Sequence, residues 1–189
     1  MKNILIINCA EADDRTFVEP IEMAVQRSDA VFETVHRSAI PAQRHRYHGV
    51  IVSASPQGDD IVVEAARQLD WIRSYHRAVL GICAGHQILG KLSSAILRRG
   101  EEPEDGVNCQ VEVLTEDPLF AAYTGELQVE QHHNDSIALP VDFTQMATST
   151  TCEVQAMRHV QWPYYSVQWH AERSNPDLIQ NFVNRIVVE

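Results

Sequence analysis

The chain has 189 residues, which is enough for one domain with a substantial buried core. Hydrophobic residues make up 44% and charged residues 22%, a balance typical of soluble globular proteins. The formal net charge of −11 argues against nucleic acid as a main partner, because phosphate binding needs a basic surface. No apolar run approaches the roughly 20 residues of a membrane-spanning helix, so we expect no membrane partner.

Residues 1–8 contain one basic residue and a short apolar run without a small-residue cleavage site. They predict a buried first strand and not a signal peptide, so we expect a cytoplasmic protein. The four cysteines are Cys9, Cys83, Cys109 and Cys152. Because they are widely separated and form no CxxC pair, they predict neither a disulfide framework nor a zinc site. In a reducing compartment they stay thiols, and at least one is available as a nucleophile.

The first half of the chain alternates short apolar runs with amphipathic stretches. The apolar runs predict strands at residues 4–7, 49–52 and 78–82, and residues 31–35 alternate as a strand does. Helical spacing of apolar residues predicts helices at 17–27 and 61–75, and a third helix begins near Gly85. Strand–helix alternation of this kind is typical of parallel strands joined by right-handed crossovers, which predicts an α/β fold.

The second half is predicted to add antiparallel strands that extend the sheet. Strands are expected at residues 110–114, 126–131, 143–148, 153–157 and 164–168. Residues 98–106, rich in Glu, Asp and Gly, predict a surface loop. Residues 176–188 predict a helix with Asn175 as N-cap and Pro176 in its first turn. We find no domain linker and no internal repeat, so residues 1–189 are expected to form one domain.

The strongest local motif is Gly81-Ile82-Cys83-Ala84-Gly85-His86-Gln87. A buried strand runs into Gly-x-Cys-x-Gly and a helix follows, which is the pattern of a nucleophile elbow with sulfur in place of oxygen. The tight turn leaves no room for large neighbours and holds the nucleophile in a strained conformation. The N-terminus of the helix favours the thiolate form of Cys83. The alternative, a structural cysteine in a strand–helix turn, is disfavoured by the flanking glycines.

A thiolate nucleophile needs a base, and the base needs a group that orients it. Nine histidines are present, so position must discriminate among them. His170 and Glu172 follow the last predicted strand at its carboxyl end, and Cys83 follows another strand in the same way. The spacing of two residues lets Glu172 hold the imidazole of His170 from the side away from the sulfur. We therefore predict a catalytic triad of Cys83, His170 and Glu172.

The elbow, taken with Val167-Gln168-Trp169-His170-Ala171-Glu172, resembles the two signatures of class I (triad-type) glutamine amidotransferases. Those signatures usually read G-x-C-x-G-x-Q and Q-F-H-P-E. Residues 112–120 and His132-His133-Asn134-Asp135 most resemble the glutaminase subunit of GMP synthase. The similarity covers nearly the whole chain.

The resemblance implies a doubly wound, mostly parallel sheet flanked by helices, with glutamine as the substrate. Cys83 would carry a γ-glutamyl thioester, and the ammonia would pass to a synthetase partner. The backbone amides of Ala84 and Ser55 would form the oxyanion hole. The residues implied for glutamine binding are Gln87, His133, Asn134 and Asp135. We expect no cofactor. We also expect no metal, since His132 and His133 are adjacent on a strand and point to opposite faces.

One loop departs from the family pattern. The family commonly reads S-G-G-P after the third strand, whereas this chain has Ser53-Ala54-Ser55-Pro56. If the loop needs a positive φ, each Cβ costs on the order of 1 kcal/mol. The oxyanion hole would then be unformed in the resting enzyme; alternatively, the loop uses another geometry.

Three functions fit the sequence. The first is a glutaminase subunit supplying ammonia to a synthetase in trans, since no phosphate-binding loop is found in the chain. The second is a stand-alone γ-glutamyl hydrolase with the same triad and a larger amine as leaving group. The third is a non-catalytic regulatory or binding member of the fold, which the triad argues against and the altered loop argues for.

Overall fold

The first half of the chain builds four strands with helices between them. The computed structural model describes residues 1–121 and 123–189. Its first elements are β1 (Lys2–Asn8), α1 (Val18–Gln26), β2 (Ala30–His36), β3 (Gly49–Val52), α2 (Val62–Gln68), β4 (Ala78–Ile82) and α3 (Ala84–Leu92). Short 3-10 helices lie between them at Arg44–Arg46, Gly58–Ile61 and Asp70–Ser74. All four predicted strands are confirmed.

The second half consists mainly of strands and ends in helices. Its elements are β5 (Leu97–Arg98), β6 (Glu104–Val113), β7 (Glu126–His133), β8 (Ser136–Ile137), β9 (Phe143–Thr148), β10 (Ala156–His159), β11 (Tyr164–Val167), α4 (Ala171–Ser174) and α5 (Pro176–Asn181). A 3-10 helix at Pro118–Phe120 and a π-helical turn at Phe182–Ile186 complete the described elements. Within the described part of the chain, no helix combines the length and the apolar character needed to cross a membrane.

Nine strands form one sheet in the order β2-β1-β3-β4-β11-β10-β9-β6-β7. Neighbouring strands from β2 to β11 run parallel, and those from β11 to β7 run antiparallel. The short strands β5 and β8 form a separate antiparallel pair. The chain winds outward from β1 in both directions, as in doubly wound folds. The predicted α/β sheet with antiparallel strands added in the second half is confirmed.

Both faces of the parallel strands are buried by helices. In β1, Ile4 and Ile6 belong to one core cluster, together with apolar residues of α1 and α5. Leu5 and Ile7 belong to the opposite cluster, together with residues of α2 and α3. This explains why β1, β3 and β4 contain continuous apolar runs, since a strand covered on both faces has no exposed side. The edge strand β2 is only partly buried, and its sequence includes polar residues.

Three strands bring the predicted site residues to one edge of the sheet. β3, β4 and β11 are parallel hydrogen-bonded neighbours, so their carboxyl ends lie side by side. The chain leaves these strands at residues 53–56, at Cys83 and at residues 168–172, respectively. The altered loop, the predicted nucleophile and the predicted base therefore meet where active sites of open α/β sheets form.

Four predicted boundaries were wrong. The single helix at 61–75 is instead α2 followed by a 3-10 helix, and this tightening still buries Leu69 and Ile72. The loop predicted at 98–106 contains the start of β6, because residues 104–106 pair with the end of β7. The strand predicted at 153–157 begins only at Ala156, where the pairing with β9 is irregular.

The fourth wrong boundary is at the last helix. The helix predicted at 176–188 is regular only to Asn181 and continues as the π-helical turn. Asn175 precedes the helix, but its side chain makes no capping hydrogen bond. Its amide donates instead to the carbonyl oxygen of Gln128 at 3.3 Å, which ties the helix to β7. Pro176 occupies the first turn as predicted.

Candidate active site

Cys83 lies in the tight turn between β4 and α3. Its backbone has φ 50° and ψ −107°, a conformation that costs a residue with a side chain about 1–3 kcal/mol. The flanking glycines make the turn possible. A Cβ on Gly81 would lie 2.5 Å from the carbonyl oxygen of Gly85, and one on Gly85 would lie 2.3 Å from that of Val52. The motif therefore forms the strained elbow that the sequence predicts.

The Cys83 thiol lies at the start of a helix, and its Sγ lies 3.9 Å from the carbonyl oxygen of His132. α3 begins at the next residue, Ala84, so the thiol lies at the N-terminus of a nine-residue helix. The side-chain amide of Gln168 directs its N–H toward Sγ at 3.9 Å. Helix N-termini and nearby donors stabilise thiolates more than thiols, and the thiolate is the nucleophilic form.

His170 and Glu172 form a buried pair at the end of β11. The Nδ1–H of His170 donates to Oε1 of Glu172 at 2.8 Å, which leaves Nε2 for the other side of the ring. The backbone N–H of His170 donates to the carbonyl oxygen of Glu130 at 2.8 Å and fixes the residue to β7. Glu172 lies in the first turn of α4, so the short helix holds the carboxylate behind the imidazole.

The charges around His170 stabilise its protonated form. Burial lowers the pKa of the imidazole, but interactions with Cys83 and Glu172 outweigh it and raise that pKa to about 10. His170 is therefore an imidazolium near neutral pH, positioned between a sulfur atom and a carboxylate. Such a pair provides both a thiolate and a proton donor for a leaving group.

Two rings pack near the His170 imidazole. The ring of Phe17 stacks on it with centroids 5.5 Å apart, and the ring of His132 lies 5.7 Å away at a tilt. Phe17 precedes α1 and Arg173 covers the Phe17 ring at 5.1 Å. Packing of this kind restricts ring rotation, so Phe17 helps to fix the orientation of His170.

A cavity of about 420 Å³ lies above Cys83. Six of the predicted site residues line it: Ser55, Cys83, His133, Asn134, Asp135 and His170. His132 lines it as well, together with residues that the sequence did not single out, among them Phe17, Arg99 and Arg173. Arg99 pairs with Asp135 at 2.7 Å, so the cavity carries both a cation and an anion. Its size and mixed charge suit a small zwitterionic ligand.

Gln87 lies behind the cavity wall. Its side chain is buried, and its amide donates to the carbonyl oxygen of Asp135 at 2.9 Å. The Nδ1–H of His133 donates to the same carbonyl oxygen at 3.1 Å. Both residues therefore hold the loop that presents Asn134 and Asp135. Ala84 lies next to Cys83, and Glu172 lies behind His170, so each of them flanks a residue that lines the cavity.

The loop at residues 53–56 avoids the strained backbone that glycines would allow. Among the described residues other than glycine, positive φ occurs at His76, Cys83 and Ser94. Ser53 accepts a hydrogen bond from the backbone N–H of Cys9 at 3.0 Å and donates to the carbonyl oxygen of Ala54 at 2.8 Å. The loop at residues 53–56 therefore accommodates both Cβ atoms without a positive φ.

His86 is structural despite its place in the motif. Its imidazole is fully buried, and Nδ1 shares a hydrogen bond of 2.8 Å with Ser166. Burial, followed by the nearby His133, lowers the pKa of His86 to about 3. His86 therefore stays neutral within α3 and takes no part in proton transfer.

One group of residues near the cavity combines metal-ligand types. Glu104, His133 and Cys152 place a carboxylate oxygen, an imidazole nitrogen and a thiol sulfur within 4.8 Å of one another. No sequence spacing pointed to this group, because its members come from β6, β7 and the turn before β10.

Comparison with known proteins agrees with this geometry. The sequence model of the class-I glutamine amidotransferases matches residues 14–187. A subunit of the glutamine-hydrolyzing GMP synthase of Pyrococcus abyssi is 32% identical over 139 residues, 71% of this chain and 73% of that protein. The corresponding GMP synthase subunit from Methanosarcina barkeri is 34% identical over 140 residues, 71% of each chain.

A solved structure extends the likeness to the whole fold. The crystal structure of a candidate GMP synthase subunit from Thermoplasma acidophilum superimposes with a TM-score of 0.87. The match covers 97% of this chain and 92% of that chain at 24% sequence identity. The match to the family sequence model over most of the chain identifies this protein as a member of the class-I glutamine amidotransferase family.

Proposed function

We propose that this chain is the glutaminase subunit of a two-subunit enzyme of the GMP synthase kind. It would release ammonia from the glutamine side chain and pass it to a separate synthetase subunit. The observation that carries the proposal is the strained Cys83 at a helix N-terminus, sharing one cavity with the His170–Glu172 pair. Relatives named as subunits of glutamine-hydrolyzing GMP synthase support the choice of partner.

In the first half-reaction, the Cys83 thiolate attacks the side-chain amide carbon of glutamine. The carbonyl oxygen becomes an oxyanion, which we assign to the backbone N–H groups of Ala84 and Ser55. His170 then donates its proton to the amide nitrogen as the C–N bond breaks. Ammonia leaves, and a γ-glutamyl thioester remains on Cys83.

In the second half-reaction, His170 is neutral and accepts a proton from water. The hydroxide attacks the thioester carbon, the C–S bond breaks, and glutamate leaves. The sulfur departs as a thiolate, which restores the starting ion pair with the imidazolium. Glu172 holds the ring in one tautomer and stabilises its charge through both steps.

The cavity wall supplies the groups that recognise free glutamine. We assign Asp135 to the substrate α-ammonium group and Arg99 to the α-carboxylate, because their paired charges already match a zwitterion. Asn134 lines the same wall. Gln87 and His133 contribute by holding the carbonyl oxygen of Asp135.

We also propose that residues 1–189 act as a single cytoplasmic domain. One continuous nine-stranded sheet supports the first point. The four cysteines, all free thiols, agree with a reducing compartment. The net charge of −11 supports the absence of a nucleic-acid partner.

A diazoketone analogue of glutamine should label Cys83 and spare the other three thiols. Burial raises the pKa of Cys9 to about 12 and also raises the pKa values of Cys109 and Cys152, so these thiols are poor nucleophiles. Peptide mapping by mass spectrometry measures the label. Glutamine should protect Cys83, and labelling spread evenly over the four cysteines would remove the case for a special nucleophile.

The isolated chain should hydrolyse glutamine slowly and accelerate when the synthetase subunit of the same organism binds. If the Ser55 amide points away from the cavity until binding, one oxyanion donor is missing, which costs roughly 10²–10³ in rate. Replacing Ala54 and Ser55 together by glycine frees that peptide to turn, so the basal rate should rise. Glutaminase assays with and without the partner measure both effects.

The matched control for the glycine variant is Ser38→Gly with Ala39→Gly, which changes the same residue types in an exposed turn. It should leave the basal rate unchanged. Full activity of the isolated chain would exclude the loop as a switch. The same conclusion would follow if the basal rate of the double glycine variant equalled that of the control variant. Glutamine-dependent GMP formation by the complex identifies the acceptor reaction. Full hydrolase activity without any partner would favour the stand-alone hydrolase.

A further inference from the structure

Glu104, His133 and Cys152 form a group beside the cavity, and His133 belongs to the cavity wall. Glu104 is the first residue of β6, and His133 is the last residue of β7. Cys152 lies in the turn between β9 and β10. The side chain of His133 is 1% exposed and that of Glu104 is 10% exposed. Cys152 is fully buried. Their ligand atoms lie within 4.8 Å of one another. Of these three residues the glutaminase mechanism uses only His133, whose Nδ1 contacts the carbonyl oxygen of Asp135.

Nδ1 of His133 makes a hydrogen bond outside this group, and Nε2 of the same ring points into it. Nδ1 contacts the carbonyl oxygen of Asp135 at 3.1 Å, and because a carbonyl only accepts, Nδ1 carries the proton. In the tautomer with its proton on Nδ1, Nε2 offers a lone pair. It is buried without a hydrogen-bond partner among the described residues, and it lies 3.5 Å from Oε2 of Glu104. Two acceptors facing each other in a buried site repel unless a cation or a proton lies between them.

The carboxylate of Glu104 is held rigidly for such a role. The amide of Gln131 donates to Oε2 at 2.7 Å, and the hydroxyl of Ser149 donates to Oε1 at 2.8 Å. The amide of Gln155 donates to Oε2 as well. Ligating carboxylates and histidines in metal sites typically have such outer hydrogen bonds, which fix ligand orientation.

The thiol of Cys152 is fully buried beside the carboxylate of Glu104. A divalent cation at this place would be coordinated by the thiolate, since metal coordination deprotonates a thiol outright. Glu102 also interacts with the Cys152 side chain, which brings a second carboxylate to the group.

We propose that Glu104, His133 and Cys152 bind a divalent metal ion of the zinc class, with Glu102 as the available fourth ligand. Sulfur, imidazole nitrogen and carboxylate oxygen together suit Zn²⁺. Ligand atoms around tetrahedral zinc lie about 3.3–3.8 Å apart, given its bond lengths. The 3.5 Å between His133 Nε2 and Glu104 Oε2 falls in that range.

The metal would act as a structural brace. It joins β6, β7 and the turn before β10, and through Nδ1 of His133 it reaches the carbonyl oxygen of Asp135. Gln87 donates to the same oxygen from α3. The ion thus ties the outer antiparallel strands to the wall of the glutamine cavity, while its ligands do not include the reactive thiol of Cys83.

The test uses the whole chain with Cys83→Ser, which removes the other cysteine–histidine pair able to bind metal. After treatment with a chelator, the protein is titrated with Co²⁺, whose thiolate complexes absorb in the near ultraviolet. We expect one equivalent of Co²⁺, a sulfur-to-cobalt charge-transfer band, and its displacement by Zn²⁺. Zn²⁺ binding should also release a proton from the Cys152 thiol. Absence of bound metal in this protein would overturn the proposal.

Two further variants assign the site. Adding Cys152→Ser should abolish the charge-transfer band, whereas adding Cys109→Ser, the matched control on β6, should retain it. Glu104→Gln keeps the thiol and should weaken Zn²⁺ binding more than about 100-fold, beyond the effect of losing an outer partner. A band that survives Cys152→Ser would contradict the proposal. If Cys152→Ser does not fold, unchanged Zn²⁺ affinity in Glu104→Gln would contradict it instead.

Discussion

Replacing Cys83 by alanine should lower kcat for glutamine hydrolysis by on the order of 10⁴–10⁶-fold, as expected for loss of a nucleophile. No other thiol can substitute. Cys9 is buried beneath the loop at residues 53–56, and neither Cys109 nor Cys152 lines the cavity. A coupled glutamate-release assay measures the loss. Cys109→Ala, which removes a thiol outside the cavity, is the matched control and should keep its activity.

The fold should survive the loss of Cys83. The backbone at this position is strained at φ 50° and ψ −107°, and a smaller side chain relieves part of that strain. Cys83→Gly should therefore unfold at the same temperature as the wild type or a higher one, while remaining inactive. If Cys83→Ala hydrolyses glutamine at more than a few per cent of the normal rate, the assigned nucleophile is wrong.

His170→Ala should cost more activity than Glu172→Gln. Loss of the imidazole removes proton transfer, typically worth 10²–10⁴-fold, and also removes the cation that stabilises the Cys83 thiolate. Glu172→Gln leaves the imidazole in place, held by its backbone contact with Glu130 and by the ring of Phe17. Steady-state kcat values rank the two variants. A larger loss from Glu172→Gln would contradict the assigned roles.

The Glu172→Gln variant should also change the pH dependence of kcat. In the wild type the pKa of His170 is raised to about 10, so the proton donor stays charged as the pH rises through neutrality. Glu172→Gln removes one of the charges that raise this pKa. The alkaline limb of the kcat profile should therefore move to lower pH in Glu172→Gln. An alkaline limb at the same pH in both proteins would show that Glu172 does not act on the imidazole.

The strands of the parallel half could be predicted because their signal is local. A strand buried on both faces is a continuous apolar run, and the runs at Gly49–Val52 and Ala78–Ile82 match β3 and β4 residue for residue. The start of β6 could not be predicted in this way. Its residues Glu104 and Asp105 are polar and extended only because β7 pairs with them.

The elbow at Cys83 could be predicted because its steric constraints fix the neighbouring residues. A Cβ at Gly81 or Gly85 would meet a backbone oxygen within 2.5 Å, so the elbow requires glycine at both positions and has a recognisable sequence. Phe17 and Arg99 have no such pattern, since each reaches the cavity by tertiary packing from a distant segment. The group of Glu104, His133 and Cys152 was missed for the same reason.

The central claim is that Cys83 carries the substrate as a γ-glutamyl thioester. The most direct measurement mixes the protein with glutamine, quenches in acid during steady-state turnover, and maps the modified peptides by mass spectrometry. We expect a glutamyl adduct on the peptide containing Cys83, accumulating further in a variant whose deacylation is slowed by His170→Asn. The adduct should be absent from Cys83→Ser. An active enzyme that releases glutamate while no adduct forms on Cys83 at any quench time would contradict the mechanism.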